Sequence, residues 1–63
     1  MNDLKDDVLR GVPAIAAFRG EKKRRTYRLL ETGQIPGFKE GGVWTTRKST
    51  QIAHVERRES EVA

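Results

Sequence analysis

The feature that most constrains the fold is a strongly basic stretch between two glycines, Gly20 and Gly33. On a helical wheel at about 100° per residue, Thr26, Leu29 and Leu30 fall on one side of this stretch. The opposite side is basic and is formed by Arg24 and Arg28, flanked by Arg25 and Tyr27. The pattern predicts a helix that buries one side and presents guanidinium groups on the other, which suits phosphates and the acceptor edge of guanine.

The charge of this stretch is one-sided. Residues 19–28 carry six basic side chains and one acidic side chain, Glu21. Charge runs are often only solvated helix faces, but such faces normally mix the two signs so that neighbouring side chains attract each other. Residues 22–25 instead repel each other, and they add positive charge to a helix N-terminus where the macrodipole is already positive. This imbalance favours an anionic partner.

Length and composition restrict the fold, the partner and the compartment. The 63 residues fit a single domain, carry a formal net charge of +4 and include no cysteine, so no disulfide or thiolate metal site is expected. The basic balance favours nucleic acid over an acidic protein or a membrane. No apolar run reaches the ~18 residues of a membrane span, and the N-terminus lacks the pattern of a signal peptide. We therefore expect a cytoplasmic protein.

Residues 1–11 are interpreted as a lead-in. The first seven are polar and acidic and are expected to fray. Val8 and Leu9 are expected to dock on the core as a lid, and Gly11 ends the segment.

Residues 12–33 have the plan of a helix-turn-helix. Pro13 suits the first turn of a helix, and Gly20 is expected to end that helix in the left-handed conformation. The basic helix then runs over residues 23–32, and Gly33 stops it.

Residues 34–48 predict a wing made of a two-stranded β-hairpin. Gly41-Gly42 is a strong turn signal between β-branched and aromatic residues. A two-residue loop would pair Lys39 with Trp44, whereas a three-residue loop would pair Glu40 with Trp44. The three-residue loop is preferred because it places the two aromatic side chains of the hairpin on the same face.

Residues 49–60 predict a C-terminal helix. Ser49 or Thr50 can cap this helix, and Ile52 and Val55, three positions apart, are expected to face the core. The last residues of the chain are polar and are expected to fray.

The predicted core is made of the apolar side chains of all these segments. They are Val8, Leu9, Val12, Ile15, Phe18, Leu29, Leu30, Ile35, Phe38, Val43, Trp44, Ile52 and Val55. This set suffices for three packed elements and leaves no room for a ligand cavity. The predicted fold is mainly α with a small β-hairpin: a winged helix-turn-helix of three short helices and a two-stranded wing.

A series of short motifs covers residues 12–56. They are Ile15-Ala16-Ala17-Phe18 with Gly20, Tyr27-Arg28-Leu29, residues 31–39, Gly41-Gly42, Trp44 and Arg47-Lys48-Ser49. The run from Tyr27 to Lys39, followed by the double glycine, is the most specific of them. In these motifs the sequence resembles the excisionase-type and MerR-like winged helix-turn-helix DNA-binding domains of bacteria and phages.

The chain departs from the family pattern at a few positions. The family usually has apolar residues where Arg19, Glu21, Glu40 and Thr46 stand, and valine at the position of Thr26. Arg19 can lay its methylene groups on the core while its charge stays in water. These departures imply a thin helix-turn-helix core and a loosely packed wing.

In that family the second helix of the motif enters the major groove, and the wing touches the DNA backbone or the minor groove. The resemblance therefore implies DNA contacts from the basic helix and from the wing. The implied residues are Lys22, Lys23, Arg24, Tyr27 and Arg28 on the helix and Lys39, Thr45 and Arg47 at the wing. Arg25 and Lys48, which adjoin these positions, complete the candidate DNA-binding set.

No group of side chains predicts catalysis or metal binding. The single histidine, His54, has no partner, and Ser49 and Ser60 have no nearby base. Asp6 and Asp7 fall in the lead-in. We therefore expect a protein that is not an enzyme and uses no cofactor or metal.

The leading functional hypothesis is a sequence-specific protein that binds double-stranded DNA. Within this class, an excisionase that bends DNA for an integrase competes with a small transcriptional regulator, and the short chain favours the excisionase. A protein-interaction module with an acidic partner is the alternative from another class. Single-stranded nucleic acid is disfavoured because Tyr27 is the only aromatic residue not assigned to the core. We expect a monomer in solution that makes weak cooperative contacts on DNA.

Overall fold

The computed structural model describes residues 4–62, so the predicted fraying of residues 1–3 and 63 lies outside the described part. In chain order the elements are α1 (Leu4–Asp7), β1 (Val8–Arg10), α2 (Val12–Arg19), α3 (Lys23–Glu31), β2 (Phe38–Glu40), β3 (Val43–Arg47) and α4 (Lys48–Val62). The fold is mostly helical, as expected, although α1 is only one turn of four residues. No helix within residues 4–62 has both the length and the apolar composition that crossing a membrane requires.

The start and the end of α2 agree with the prediction. Pro13 lies in its first turn, and Gly20 ends it in the left-handed conformation, with a φ of 72°. The backbone N–H groups of Gly20 and Glu21 donate to the carbonyl oxygens of Ala17 and Ala16. These bonds satisfy two of the carbonyl groups that a helix end leaves free, and glycine takes this conformation without the steric cost of a Cβ.

α3 ends at Glu31, one residue earlier than predicted, and Thr32 is its C-cap. The N–H of Gly33 donates to the carbonyl oxygen of Leu30 at 3.2 Å, so the predicted stop at this glycine is confirmed. Thr26 and Leu30 are the buried side chains of the helix. The helical wheel therefore identified the inward side of α3 correctly.

The three strands form one antiparallel sheet in the order β1-β3-β2. Val8 lies opposite Arg47 and Leu9 lies opposite Thr46. The prediction of a two-stranded wing was wrong, because residues 8–10, which include the predicted lid residues Val8 and Leu9, pair with β3 as a third strand. Three residues are too few for an alternating pattern to identify a strand from sequence.

β2 and β3 are joined by a two-residue loop, Gly41-Gly42. Lys39 lies opposite Trp44, and Glu40 lies opposite Val43. The preferred prediction of a three-residue loop, with Glu40 opposite Trp44, was wrong. Both glycines have a positive φ, 61° and 79°, as the two central positions of a type I′ turn require. This turn chemistry decides the register, and the two aromatic side chains of the hairpin do not share a face.

The core is smaller than predicted. Its buried side chains are Leu9, Ile15, Ala16, Leu30 and Ile35, and Val12, Ala14, Leu29 and Trp44 are partly buried against it. Several predicted core residues are instead exposed, namely Phe18, Phe38, Val43, Ile52 and Val55. A domain of this size has a large surface for its volume, so few positions are enclosed on all sides.

α4 begins at Lys48, earlier than predicted, and continues to Val62 through a segment that was expected to fray. The buried residue of its first turns is Gln51, whereas Ile52 and Val55 are exposed. The prediction that these two apolar residues face the core was therefore wrong. The amide of Gln51, which is fully hydrogen-bonded inside the protein, determines which side of α4 faces inwards.

Candidate nucleic-acid interface

α3 turns its basic side away from the core. Thr26 is fully buried and Leu30 nearly so, while Tyr27 is 49% exposed. We call the exposed set of side chains on and just before this helix the basic face. It consists of Lys22, Lys23, Arg24, Arg25, Tyr27 and Arg28. All six helix positions of the predicted DNA-binding set are thus accessible to a partner.

The basic face contains a shallow cleft of about 380 Å³. The side chains that line it are all cationic, namely Lys22, Arg24, Arg25 and Arg28. Like charges that line one cleft repel each other and raise the energy of the free protein. An anion in the cleft would remove part of this repulsion.

One carboxylate, Glu21, partly neutralises the basic face. Its Oε1 accepts a hydrogen bond from Nε of Arg25 at 3.1 Å, and its Oε2 accepts one from Nε of Arg19 at 2.9 Å. The remaining cations of the basic face make no ion pair with any described residue. They are Lys22, Lys23, Arg24 and Arg28. Arg25 is therefore partly engaged within the protein, whereas the other cations remain available.

The first turn of α3 itself contains no group that offsets its positive end. Lys22 is the N-cap and makes no side-chain capping bond, and no acidic residue lies in the first turn. The N–H groups at a helix start therefore have no side-chain acceptor, and the macrodipole adds to the charge of the lysines and arginines. The helix start and the cleft favour the same kind of partner, an anion.

Lys39 lies in β2 of the hairpin, and its side chain reaches towards α3. Its Nζ is 3.8 Å from a carboxylate oxygen of Glu31, the last residue of α3, and 5.3 Å from the centre of the Trp44 ring. About half of its side chain remains exposed. Lys39 therefore continues the positive charge of the basic face towards the hairpin.

The other wing candidates differ in accessibility. Arg47 donates from Nε to Asp7 at 2.8 Å and stays half exposed, and Lys48 is partly buried at the start of α4. Thr45 is only 3% exposed, and its hydroxyl donates to the carbonyl oxygen of Val43 at 3.1 Å. Because Thr45 lies in the central strand with a neighbour on each side, it presents no free hydroxyl. We leave it out of the interface.

Asp7, predicted to lie in a fraying lead-in, is buried and ties the start of the chain to α4. Its carboxylate accepts the backbone N–H of Ser49 at 3.0 Å and the Ser49 hydroxyl at 2.7 Å, besides Arg47. The pKa of Asp7 is lowered, chiefly by the hydrogen bond from the Ser49 hydroxyl. Burial acts in the opposite direction and raises the pKa, whereas the bond from the Ser49 N–H and the charge and hydrogen bond of Arg47 lower it further. Ser49 or Thr50 was predicted to cap α4, but α4 already begins at Lys48, and the hydroxyl of Ser49 donates to Asp7.

His54 is partly buried on α4 and lines an open groove of about 890 Å³ between α3 and α4, with Leu29 and Val55 among its neighbours. Within residues 4–62, no three histidine, aspartate or glutamate side chains lie close enough together to hold a metal ion.

Comparisons of the chain with protein-family models, with curated proteins and with solved structures find no match. The chemistry and geometry of the basic face are therefore the basis on which a function can be assigned.

Proposed function

We propose that this chain is a sequence-specific protein that binds double-stranded DNA through α3, with the hairpin of β2 and β3 beside it. The observation that carries the proposal is the charge of the basic face. Four of its five cations make no ion pair with a described residue, and they project from a helix whose other side is buried. A helix of this kind needs an anionic partner of matching shape.

The DNA major groove has that shape. It is about 12 Å wide and admits a single α-helix. Arg24 and Arg28 are one helical turn apart, so both guanidinium groups can reach the same groove. Arginine donates two parallel hydrogen bonds to N7 and O6 of guanine, the commonest specific contact to a base. We assign base reading to these two arginines.

Phosphate contacts position a protein on the duplex without reading its sequence. Lys22 and Lys23, at the start of α3, and Lys39, in β2 of the hairpin, are suited to this role because an ammonium group acts as a flexible point charge. Arg47 and Lys48 can add contacts at the far end of the hairpin. Tyr27, next to the arginines, supplies a hydroxyl for a phosphate or a base edge.

We propose an excisionase role within this class, on the strength of the family resemblance alone. Such a protein would bend DNA for an integrase, which is then its second partner; a small transcriptional regulator is the alternative role. A neighbouring integrase gene, with excision that depends on this protein in a purified reaction, would support the first role. Altered transcription of a promoter without any effect on excision would support the second.

DNA binding is tested by a salt titration with matched removal of charge. The association constant K is measured for a duplex selected from a random library. We expect a plot of log K against log salt concentration to have a slope of about −4 to −6, which corresponds to roughly five to seven neutralised phosphates. The double variant Arg24→Ala/Arg28→Ala should lose most of its affinity. The variant Arg57→Ala/Arg58→Ala removes the same amount of charge from an exposed part of α4 and should retain the affinity for DNA.

A slope near zero, or equal losses in the two double variants, would contradict the proposal. The same titration with heparin as competitor addresses the alternative of an acidic protein partner. Selection of no preferred duplex, together with complete displacement by heparin, would favour that alternative.

A further inference from the structure

The buried amide of Gln51 joins three separate segments of the chain. The side chain is 1% exposed. Its Oε1 accepts a hydrogen bond from Nη1 of Arg19 at the end of α2, at 2.5 Å. Its Nε2 donates to the carbonyl oxygen of Pro36 at 2.7 Å and to Oγ1 of Thr46 in β3 at 3.0 Å.

The partners of Gln51 define the orientation of its amide. The guanidinium of Arg19 only donates, and the carbonyl of Pro36 only accepts, so the oxygen must face the first and the nitrogen the second. A reversed amide would place two donors together at one end and two acceptors together at the other. A buried polar group held in this way favours one arrangement of its neighbours, because an unpaired donor or acceptor there is costly.

The chain of hydrogen bonds continues to the basic face. Arg19, which donates to Gln51, also donates to Glu21, and Glu21 accepts from Arg25 on α3. One connected polar network therefore runs from α3 through α2 and α4 to the hairpin. Its hairpin end is the connector, residues 34–37, and the central strand β3.

The start of the connector is bonded to α3 directly, because the N–H groups of Gln34 and Ile35 donate to the carbonyl oxygen of Leu29 at 2.9 and 3.4 Å. Beyond Ile35, the other links between α3 and the hairpin are weaker or purely steric. The ion pair of Lys39 with Glu31 is 3.8 Å long with both side chains partly exposed, and such pairs contribute little. The connector does pass close to α3, because a Cβ at Gly37 would lie 2.6 Å from Cδ2 of Leu30. The backbone bonds to Leu29 hold the first half of the connector, and packing limits how near its second half can come to α3. The bond from Gln51 to the carbonyl oxygen of Pro36 supplies the directional contact at this second half, next to the hairpin.

We propose that Gln51 is a positioning residue for DNA binding. Through its bonds to Pro36 and Thr46 it holds the connector and the hairpin at the place where Lys39 meets the DNA backbone while α3 occupies the groove. This inference rests on the proposed function. It predicts that Gln51 is coupled to the hairpin cation and not to the base-reading arginines.

The test is a pair of double-mutant cycles on DNA affinity, measured at a temperature where circular dichroism shows every variant to be folded. Gln51→Met keeps the length of the side chain and removes all three hydrogen bonds. Lys39→Ala should cost about fivefold in affinity in the wild type and about twofold or less in the Gln51→Met background. Arg28→Ala should cost the same factor in both backgrounds. Additive effects in both cycles would overturn the proposal.

Gln51→Glu separates the two ends of the network and serves if Gln51→Met does not fold. A carboxylate keeps the acceptor for Arg19 but loses the donor to the carbonyl of Pro36. If that donor positions the hairpin, Gln51→Glu should reduce the effect of Lys39→Ala as Gln51→Met does. An undiminished effect of Lys39→Ala in this background would overturn the proposal.

A measurement without DNA keeps this inference separate from the proposed function. Residual dipolar couplings of the backbone amides report the orientation of residues 38–47 relative to α3. We expect a changed orientation in Gln51→Glu and an unchanged one in the control Arg57→Ala. If the wild type fails to bind any duplex, the proposed function fails; if the hairpin keeps its orientation in Gln51→Glu, the positioning role fails.

Discussion

Arg28 projects from the exposed side of α3, opposite the side on which Thr26 and Leu30 are buried. We predict that Arg28→Ala lowers the affinity for the selected duplex by about 1–3 kcal/mol and relaxes the preference at one base pair. Lys39→Ala, which removes one charge at the hairpin, should weaken binding to all sequences alike. Competition binding against a panel of duplexes with single base-pair changes distinguishes the two patterns. A uniform loss in both variants would assign Arg28 to a phosphate.

The ionisation of Asp7 is expected to make the stability of the folded protein depend on pH. Because its pKa is lowered in the folded protein, the ionised carboxylate stabilises the fold above the pKa of the unfolded chain, about 3.9. That contribution is lost as the pH falls below about 4 and through the lower folded pKa. Asp7→Asn keeps an oxygen acceptor for Ser49 but does not titrate. Urea denaturation between pH 2 and 7 should therefore show a steeper acid loss of stability in the wild type than in Asp7→Asn.

The stability difference between the wild type and Asp7→Asn should be constant near neutral pH and shrink under acidic conditions. Parallel curves over the whole range would mean that Asp7 is not linked to folding through its ionisation. Gln34, an exposed polar residue remote from α4 in sequence, offers a control substitution, Gln34→Glu, that adds a carboxylate without a buried partner.

The roles of single residues were predicted well where they depend on neighbours in sequence, and were missed where they depend on partners far along the chain. The role of Gly20 follows from the rule for helix ends, which involves only neighbours in sequence. Asp7 and Gln51 were missed because Ser49 lies 42 positions from the first and Arg19 lies 32 positions from the second. A polar residue is expected at the surface unless all its hydrogen bonds are met inside, and only the fold reveals whether they are.

At the scale of the element, the loop of the hairpin provides a test of its register. Gly41→Asn should be neutral or stabilise the protein by up to about 1 kcal/mol, because asparagine is favoured at the first central position of a type I′ turn. Gly42→Val should destabilise it by about 1–2 kcal/mol, since a β-branched residue is strained at a φ of 79°. Open space surrounds both positions, so the two variants differ only in backbone preference.

Urea denaturation measures the free energy of unfolding of the two variants relative to the wild type. A similar cost for Gly41→Asn and Gly42→Val would contradict a two-residue type I′ loop. It would reopen the three-residue alternative, in which the two positions have different requirements.

The elements that were predicted well are those with a periodic pattern and local end signals. α3 has an apolar side, a basic side and a glycine stop, so its extent was predicted to within one residue. β1 has only three residues and pairs with a strand far along the chain, so no local pattern identifies it. In α4, Ile52 and Val55 have the spacing of a buried helix side, but the hydrogen bonds of Gln51 turn that side towards solvent.

The dimensions of the whole molecule limit the length of DNA that it could cover under the proposed function. The Cα atoms span 36 × 32 × 18 Å, and one turn of duplex measures about 34 Å. In the proposed mode of binding, a single molecule would cover about one turn, with one helix in the major groove and one hairpin beside it. That footprint is small compared with the surface that specific DNA complexes usually bury, so several molecules on adjacent sites would raise the total affinity.

The last prediction concerns assembly. The exposed apolar side chains are divided among α2, the hairpin and α4, which carry Phe18, Phe38 with Val43, and Ile52 with Val55. One or two such side chains on an element fall far short of the roughly 1,200–2,000 Å² that a stable protein interface buries. We therefore predict a monomer in free solution whose neighbours touch weakly on DNA. Sedimentation should show a monomer, and titration of duplexes with one or several phased sites should show a higher affinity per site on the longer array. Ile52→Ser/Val55→Ser should remove this gain and leave single-site affinity unchanged.

Equal affinity per site on both duplexes, or a stable dimer without DNA, would overturn this prediction and favour a conventional dimeric regulator. The charge-matched variant Arg57→Ala/Arg58→Ala, altered on the same helix, separates apolar from ionic contact. If that variant lost the gain while Ile52→Ser/Val55→Ser kept it, the contact between neighbours would be ionic. Raising the salt concentration should then weaken the contact between neighbours as well as the contact with DNA, because exposed ion pairs are screened within about 10 Å at 0.1 M salt.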